Sequence, residues 1–307
     1  MSVQVPSGGE LPSLGAGSLP GATAVRGRQR HSVVRDFARR KLGMLGFGVI
    51  VLMFLFSFLG PAIYHTNQIQ TNVLAITLPP GAGHPLGTDE VGYDVLGRLM
   101  VAGRSSLEVG VAAALIAGIM GTFIGATAGF VGGWLDAVLM RIVDALVAIP
   151  QLVFVLLIGT IITPSTLMVI FVLGLLSWVT TARLVRGEVL VIRRLDYVRA
   201  AESFGQTRGR ILYLHIVRNV IGTVAVQATF EVANAILLLA VLSFLGLGPP
   251  PPAANWGAML TSGLDYIADG YWWLIYPAGV CIVLTVVAFN LVGDALRDVV
   301  EVRLRSR

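Results

Sequence analysis

The residues able to do chemistry are few and stand apart. Histidines fall at 31, 65, 84 and 215, and none shares metal-ligand spacing with another. The one cysteine, Cys281, sits in an apolar run, where packing is expected rather than reactivity. No Gly-x-x-x-x-Gly-Lys-Ser/Thr stretch is present to cradle nucleotide phosphates. No paired His, Ser/Lys or Asp/Asp arrangement stands at helical spacing. The remaining polar residues form three sets. Asp136, Arg141 and Asp144 start an apolar run, and Arg141 and Asp144, three apart, can share a helix face. Glu231 interrupts a second apolar run. A third set, from Arg183 to Asn219, holds eight arginines and contains YVRAAESFGQTRGRILYLHIVRN. These sets suit ion pairing, gating and reception of a partner; no catalytic residue and no metal site is expected.

The elements that must position these residues are membrane spans. Of 307 residues, 55% are hydrophobic and 13% charged, against about 25% charged in soluble domains. Several uncharged runs reach the roughly 20 residues that cross a bilayer as helix. Six spans are expected, near residues 42–60, 109–131, 139–162, 166–182, 220–246 and 272–291. The 38 uncharged residues between Asp144 and Arg183 would stretch about 57 Å as one helix, and Thr163-Pro164-Ser165 supplies the turn that divides them. Twenty of 22 Lys and Arg fall on one face of this arrangement, leaving only Arg98 and Arg104 on the other. The positive-inside rule then places both termini in the cytoplasm. The fold class is all-α and polytopic. Its parts are a disordered, basic tail (1–40), a first helix (41–60), an extracytoplasmic segment (61–104), a core with spans two to six (105–295) and a basic tail (296–307). A cleavable signal peptide is not expected, because no small-residue cleavage site follows the first apolar run.

Gly121, Gly125 and Gly129 repeat every fourth residue, a spacing that lets two helices approach closely; lining of a path is the alternative. Trp256, Trp272 and Trp273 suit the headgroup region, and His65 and His84 read as solitary. Glu231 falls near mid-membrane, where an ionisable group faces a partner or a wet cavity. A protonated, hydrogen-bonded acid and a contact along a substrate path both fit. Arg141 with Asp144 reads as a structural ion pair or as a gate-linked one.

In the Arg-rich stretch, Ala200, Ala201 and Phe204, then Ile211, Leu212, His215 and Ile216, recur at helical spacing. Two short helices meeting at Gly205 are expected, since glycine turns there without a side-chain clash. Attraction to anionic lipid would explain the charge. It would not explain an Ala-Ala pair, a hinge and an apolar face, which suit docking into a protein groove.

This stretch resembles the coupling motif of ATP-binding-cassette importer permeases: Glu-Ala-Ala, three residues, Gly, and later His-x-x-Pro-Asn. Ala200, Ala201, Gly205, His215 and Asn219 fall on matching places. Arg199 stands for the Glu, next to Glu202 in the same segment, and Arg218 stands for the Pro, which implies a less kinked start to span five. Four more stretches, GTDEVGYDVLGRLMVAGRSSL (87–107), GGWLDAVLMRIVDALVAIP (132–150), LSFLGLGPPPPAANWGAML (242–260) and FNLVGDALRD (289–298), resemble the dipeptide, oligopeptide and nickel permeases, in the order of the smaller, six-span subunit. Tyr93 replaces the usual Arg and Gly97 the usual Ser. Leu239 occupies the place of a Glu found in similar permeases; Glu231 lies two turns earlier, offset by about 80°.

The resemblance implies a type I importer permease fold in a bacterial inner membrane, with coupling helices (196–219) between spans four and five. It implies half of a translocation path for di- or oligopeptides, with nickel complexes, glutathione or another small solute as alternatives. Implied partners are a homologous second permease, two ATP-binding subunits that hold ATP and Mg, an extracytoplasmic solute-binding protein and membrane lipid, with no nucleic acid and no cofactor on this chain. A secondary transporter would need inverted repeats or broken-helix ion sites, which are not evident. A non-transporting scaffold would share the topology.

Overall fold

The computed structural model describes residues 33–68 and 70–305, so the expected 1–40 tail, with His31, lies mostly outside it. Among those residues the fold is all-α: α1 (Val33–Ala38), α2 (Lys41–Phe58), α3 (Val95–Val131), α4 (Gly133–Val147), α5 (Gln151–Ile161), α6 (Thr166–Ile192), α7 (Asp196–Ser203), α8 (Arg208–Phe244), α9 (Trp256–Leu264) and α10 (Tyr276–Arg305). Five elements, α2, α3, α6, α8 and α10, are long and apolar enough to cross a membrane, and α4 with α5 makes up to six if the bent pair is one crossing. The chain is a multi-pass membrane protein.

Several boundaries differ from the expected ones. The six residues of α1, inside the segment expected to be disordered, are helical, and Arg40 just beyond them pairs with Asp298 on α10. α3 begins at Val95 rather than near 109, because Asp94 caps it: its Oδ1 accepts from Gly97 N at 2.8 Å. The expected third span is not straight. α4 and α5 meet at 80°, and Pro150 accounts for the break, since it lacks an N–H and forces its predecessor out of helical geometry. α6 runs on to Ile192, so Arg183 and Arg186 belong to a span and not to the polar connection after it.

α3 and α6 form the centre. A Cβ on Gly125 would stand 2.4 Å from the Ala182 carbonyl oxygen, and one on Gly121 2.5 Å from Thr181 Cβ. Gly129 meets Val189 on the same face, whereas Gly118 points elsewhere, with Val224 at 3.7 Å. α8 packs on α3, α10 on α8, and α2 leans on α10. Lipid gives helices no hydrophobic reason to associate, so such close backbone approach supplies the van der Waals contact that holds them.

At the opposite end from α7, the connections 64–94 and 249–275 fold over the helix ends. Thr88 Oγ1 donates to Ala75 O and accepts from Leu78 N at 2.8 Å. Trp273 Nε1 donates to Thr88 O at 3.3 Å and Trp256 Nε1 to Leu99 O at 3.0 Å. Trp256 and Trp273 are therefore buried, and only Trp272 of the three is exposed. They meet backbone carbonyls rather than headgroups. His84 is not solitary either: its Nδ1 lies 2.9 Å from Asp94 Oδ2, which also accepts from Tyr64 at 3.0 Å.

Replacing Gly125 with Ala is expected to lower the thermal unfolding temperature of the detergent-solubilised protein, at about 1–3 kcal/mol of overpacking. Gly118→Ala, whose added Cβ would meet Val224 only at an ordinary 3.7 Å, is expected to leave it within error.

Candidate functional site

Residues 196–219 fold into an angled unit on the α3–α6–α8 frame. α7 ends because Gly205 adopts φ +74°, a conformation that costs other residues roughly 1–2 kcal/mol. The closure is a Schellman turn: Gln206 N donates to Ala201 O at 3.1 Å and Gly205 N to Glu202 O at 3.0 Å. Nothing lies within 4 Å of a Cβ at Gly205, so backbone conformation alone demands the glycine.

Val198 and Ala201 on α7 are buried among Ala126 of α3, Val185 and Val189 of α6, and Ile211, Ile216 and Val220 of α8. The opposite face carries Arg199, Ala200 and Glu202, with Phe204, 86% exposed, just past the helix. The single apolar face expected from spacing is thus split. Ala201, Ile211 and Ile216 turn inward; Ala200 and Phe204 turn out.

Past Gly205 the chain does not form a second short helix. Residues Arg208–Phe244 run as one element, with a π-helical stretch at Leu212–Val217. A start less kinked for want of the Pro was expected. A π turn, an irregularity common at functional positions, stands immediately before Arg218, within an element that runs on unbroken. One polar tie joins α7 to α8, and a second joins the connection between them to α8. Asn219 Nδ2 donates to Tyr197 OH at 2.9 Å and also to His215 O, and His215 Nε2 lies 3.3 Å from Gln206 Oε1. His215 and Asn219 therefore position the bend. Tyr197 and Gln206 escaped the sequence reading, because only the fold shows what they face.

Asp136, Arg141 and Asp144 also reassemble. The Arg141–Asp144 pair does not form. Asp144 Oδ1 accepts from Arg183 at 2.5 Å, and Asp136 takes Arg186 through two bonds, at 2.5 and 2.6 Å. Arg141 is exposed, with no ion pair among the described residues. Arg193 Nη1 donates to Gly129 O at 2.8 Å. Three of the eight arginines thus hold α3 and α4 to α6, in pairs separated by 39 to 64 residues that no local spacing reveals.

Glu231 is enclosed on α8, 7% exposed. Its Oε1 accepts from Gln227 Nε2 at 3.0 Å, and Oε2 makes no hydrogen bond among the described residues. Gln227, not Glu231, lines a cavity of about 380 Å³ with Glu188, Thr223, Arg297 and Glu301 at the α7 end; Thr223 donates to Glu188 at 2.5 Å. Leu239, at the place of the family's Glu, is buried in the core. Among the described residues no group of three His, Cys, Asp or Glu could hold a metal ion.

Comparison with known proteins adds two family matches and three relatives. The family described as a binding-protein-dependent transport system inner membrane component matches residues 121–306, and the N-terminal transmembrane domain of oligopeptide transport permease C matches residues 29–80. The chain is similar to the dipeptide transport system permease protein of Bacillus subtilis strain 168, 38% identical over 271 residues that cover 88% of this chain and 85% of the relative. It is also similar to that organism's oligopeptide transport system permease protein (39% over 271 residues, 88% of each) and to the oligopeptide permease of Escherichia coli K12 (38% over 269 residues, 87% and 89%).

A double-mutant cycle on Asp136 and Arg186, 15% and 32% exposed, is expected to return a coupling of about 1–3 kcal/mol in unfolding. The cycle on Asp144 and Arg183, both more exposed, should return less than about 1 kcal/mol.

Proposed function

The chain belongs to the family of binding-protein-dependent transport system inner membrane components, and on that premise we propose that it is a permease subunit of a peptide-importing ATP-binding-cassette transporter that receives the ATPase stroke through α7. The relatives named for dipeptide and oligopeptide transport support peptide as the solute. Six crossings, with α4 and α5 counted as one, and the arginine bias support an N-in, C-in topology. That topology puts α7 in the cytoplasm and the cap 61–94 outside. The chain forms half of the path. A homologous second permease covers the apolar residues left exposed on α4 and α5, among them Ile142, Val153, Leu157 and Ile161. Two ATP-binding subunits sit beneath, and a solute-binding protein delivers peptide from outside.

The observation that carries this reading is the outward face of α7. Arg199, Ala200, Glu202 and Phe204 protrude from a helix whose other face is locked to α3, α6 and α8. A small residue flanked by charges and followed by an exposed aromatic fits a groove, and aromatic anchors dominate such contacts. Closure of the ATPase dimer moves α7, the Schellman turn and the Tyr197–Asn219 tie pass the motion to α8, and the path switches from outward-open to inward-open. Asp136–Arg186 and Asp144–Arg183 tie α4 to the same frame, which makes them the gate pairs. Glu231 acts through Gln227, the side chain that lines the inner cavity.

The complex reconstituted with its partner subunits and binding protein is expected to hydrolyse ATP faster with di- to hexapeptides and to take them up. Gly205→Pro, which cannot adopt φ +74° and loses the N–H bonded to Glu202, should abolish uptake while both permeases remain assembled. Hydrolysis indifferent to every peptide would redirect the solute to nickel chelates or glutathione. Full peptide uptake by Gly205→Pro would refute coupling through α7.

A further inference from the structure

α4 carries three charges, Asp136, Arg141 and Asp144. Both acids are paired within the chain, Asp136 with Arg186 and Asp144 with Arg183. Arg141 is left over: it makes no ion pair and no hydrogen bond among the described residues. Val143 is fully buried and packs with Trp178, Val179 and Ala182 of α6. Arg141 stands about 200° around the helix from Val143, on the face turned away from α3 and α6, and it is exposed. α4 starts after Gly132, close to where Arg193 binds the Gly129 carbonyl at the α7 end. Arg141 lies about 13 Å along the helix from that turn, where half of a hydrocarbon core measures about 15 Å. It projects from the body of the span, where an unpaired guanidinium is costly.

The neighbours of Arg141 on that face suit protein better than lipid. Ala137, Ala145 and Ala148 follow the same side of the helix and are exposed. Small residues there let a second backbone come close. The exposed residues of α2, by contrast, are large: Leu45, Phe47, Leu52 and Leu55, side chains that fill space among lipid tails. Ile142, beside Arg141, belongs with Val153 and Leu157 of α5 to the exposed apolar surface assigned above to the second permease. A subunit seated on that surface covers Arg141 as well. The chain has spent both acids of α4 on its own arginines, so the counter-charge has to come from the subunit that covers the face.

We propose that Arg141 is a docking residue for the second permease, which presents a carboxylate to it across the Ala137–Ala145 face of α4. This contact rests on the importer reading above and adds the chemistry by which the two halves of the path recognise each other. A lone charge in an apolar surface rejects a subunit that brings a like charge or none, so it selects the partner and fixes its register. It also explains why Asp144, three residues away, is held by Arg183 of α6: an Arg141–Asp144 pair would cancel the charge that the partner meets.

The full-length chain, co-expressed with its tagged second permease and the ATP-binding subunits and purified through that tag, tests this. Arg141→Gln is expected to lower the amount of this chain retained at least about tenfold, the effect of truncating one side of a buried charge pair. Arg141→Lys should keep most of it, and Arg141→Glu should abolish it. Each variant purified alone should unfold at the wild-type temperature, because Arg141 bonds to nothing in its own chain, which separates lost docking from lost folding. In the Arg141→Lys complex a membrane-permeant carbodiimide should join position 141 to an Asp or Glu of the second permease, found by mass spectrometry. Changing that acid to Lys should restore retention of Arg141→Glu. Wild-type retention of both Arg141→Gln and Arg141→Glu would overturn the proposal. So would cross-links confined to an ATP-binding subunit, or a loss seen only in nanodiscs containing phosphatidylglycerol and not in phosphatidylcholine alone, which would give Arg141 to lipid phosphate. If the wild-type chain retains no second permease, the importer reading itself fails; if the variants dock as well as wild type, only the Arg141 contact does.

Discussion

Backbone contact between α3 and α6 governs where everything else in the chain can sit. In lipid, apolar surface gains nothing by burial, so helices hold together only where atoms fit closely or polar groups meet. Gly121, Gly125 and Gly129 remove the side chains that would keep α6 at a distance. The pair is then extended at the α7 end by three arginines of α6 and the turn after it. Arg183 and Arg186 draw in the carboxylates of α4, and Arg193 closes on the Gly129 carbonyl at the end of α3. α7 is laid across this frame by Val198 and Ala201.

From that frame follows the division of α7 into two faces. The inward side of α7 is spent on packing, and the outward side is exposed. The turn at Gly205 leaves no unsatisfied carbonyl at Ala201 or Glu202, because the Schellman bonds close both. The Asn219 amide ties the first turns of α8 to Tyr197. A displacement of α7 therefore meets a stiff connection and is handed to a 37-residue helix that runs the length of the bundle. The π stretch at Leu212–Val217 is the one irregular element on that route.

Much of this was legible in the residues. Spans announce themselves by length without charge. The glycine spacing on α3 named the packing face, and Ala201 with Gly205 named the bend. Pro150 carried a readable signal for the break between α4 and α5, which the length of the apolar run overrode. Other features had no local signal. Asp144 prefers Arg183 to Arg141, three residues away, because α6 brings a guanidinium to it across 39 residues of chain. Ala200 and Phe204 share the helical spacing of an apolar stripe, yet only the position of α3 and α6 decides which members face inward. Trp256 and Trp273 read as headgroup residues by type and are buried by the carbonyls of Leu99 and Thr88. His84 found a partner in Asp94 for the same reason: the cap brings distant loop positions together.

The central claim is that α7 and α8 move as one lever. Spin labels at Glu202 and Phe244, both exposed, and at Ile161 on α5 would report it in the reconstituted complex, with Cys281 replaced by Ala. Pulsed dipolar distances would be compared without nucleotide and with a non-hydrolysable ATP analogue. The account predicts an unchanged 202–244 distance and a changed 161–244 distance. A nucleotide-dependent 202–244 distance with a constant 161–244 distance would contradict it, because α7 would then move without carrying α8.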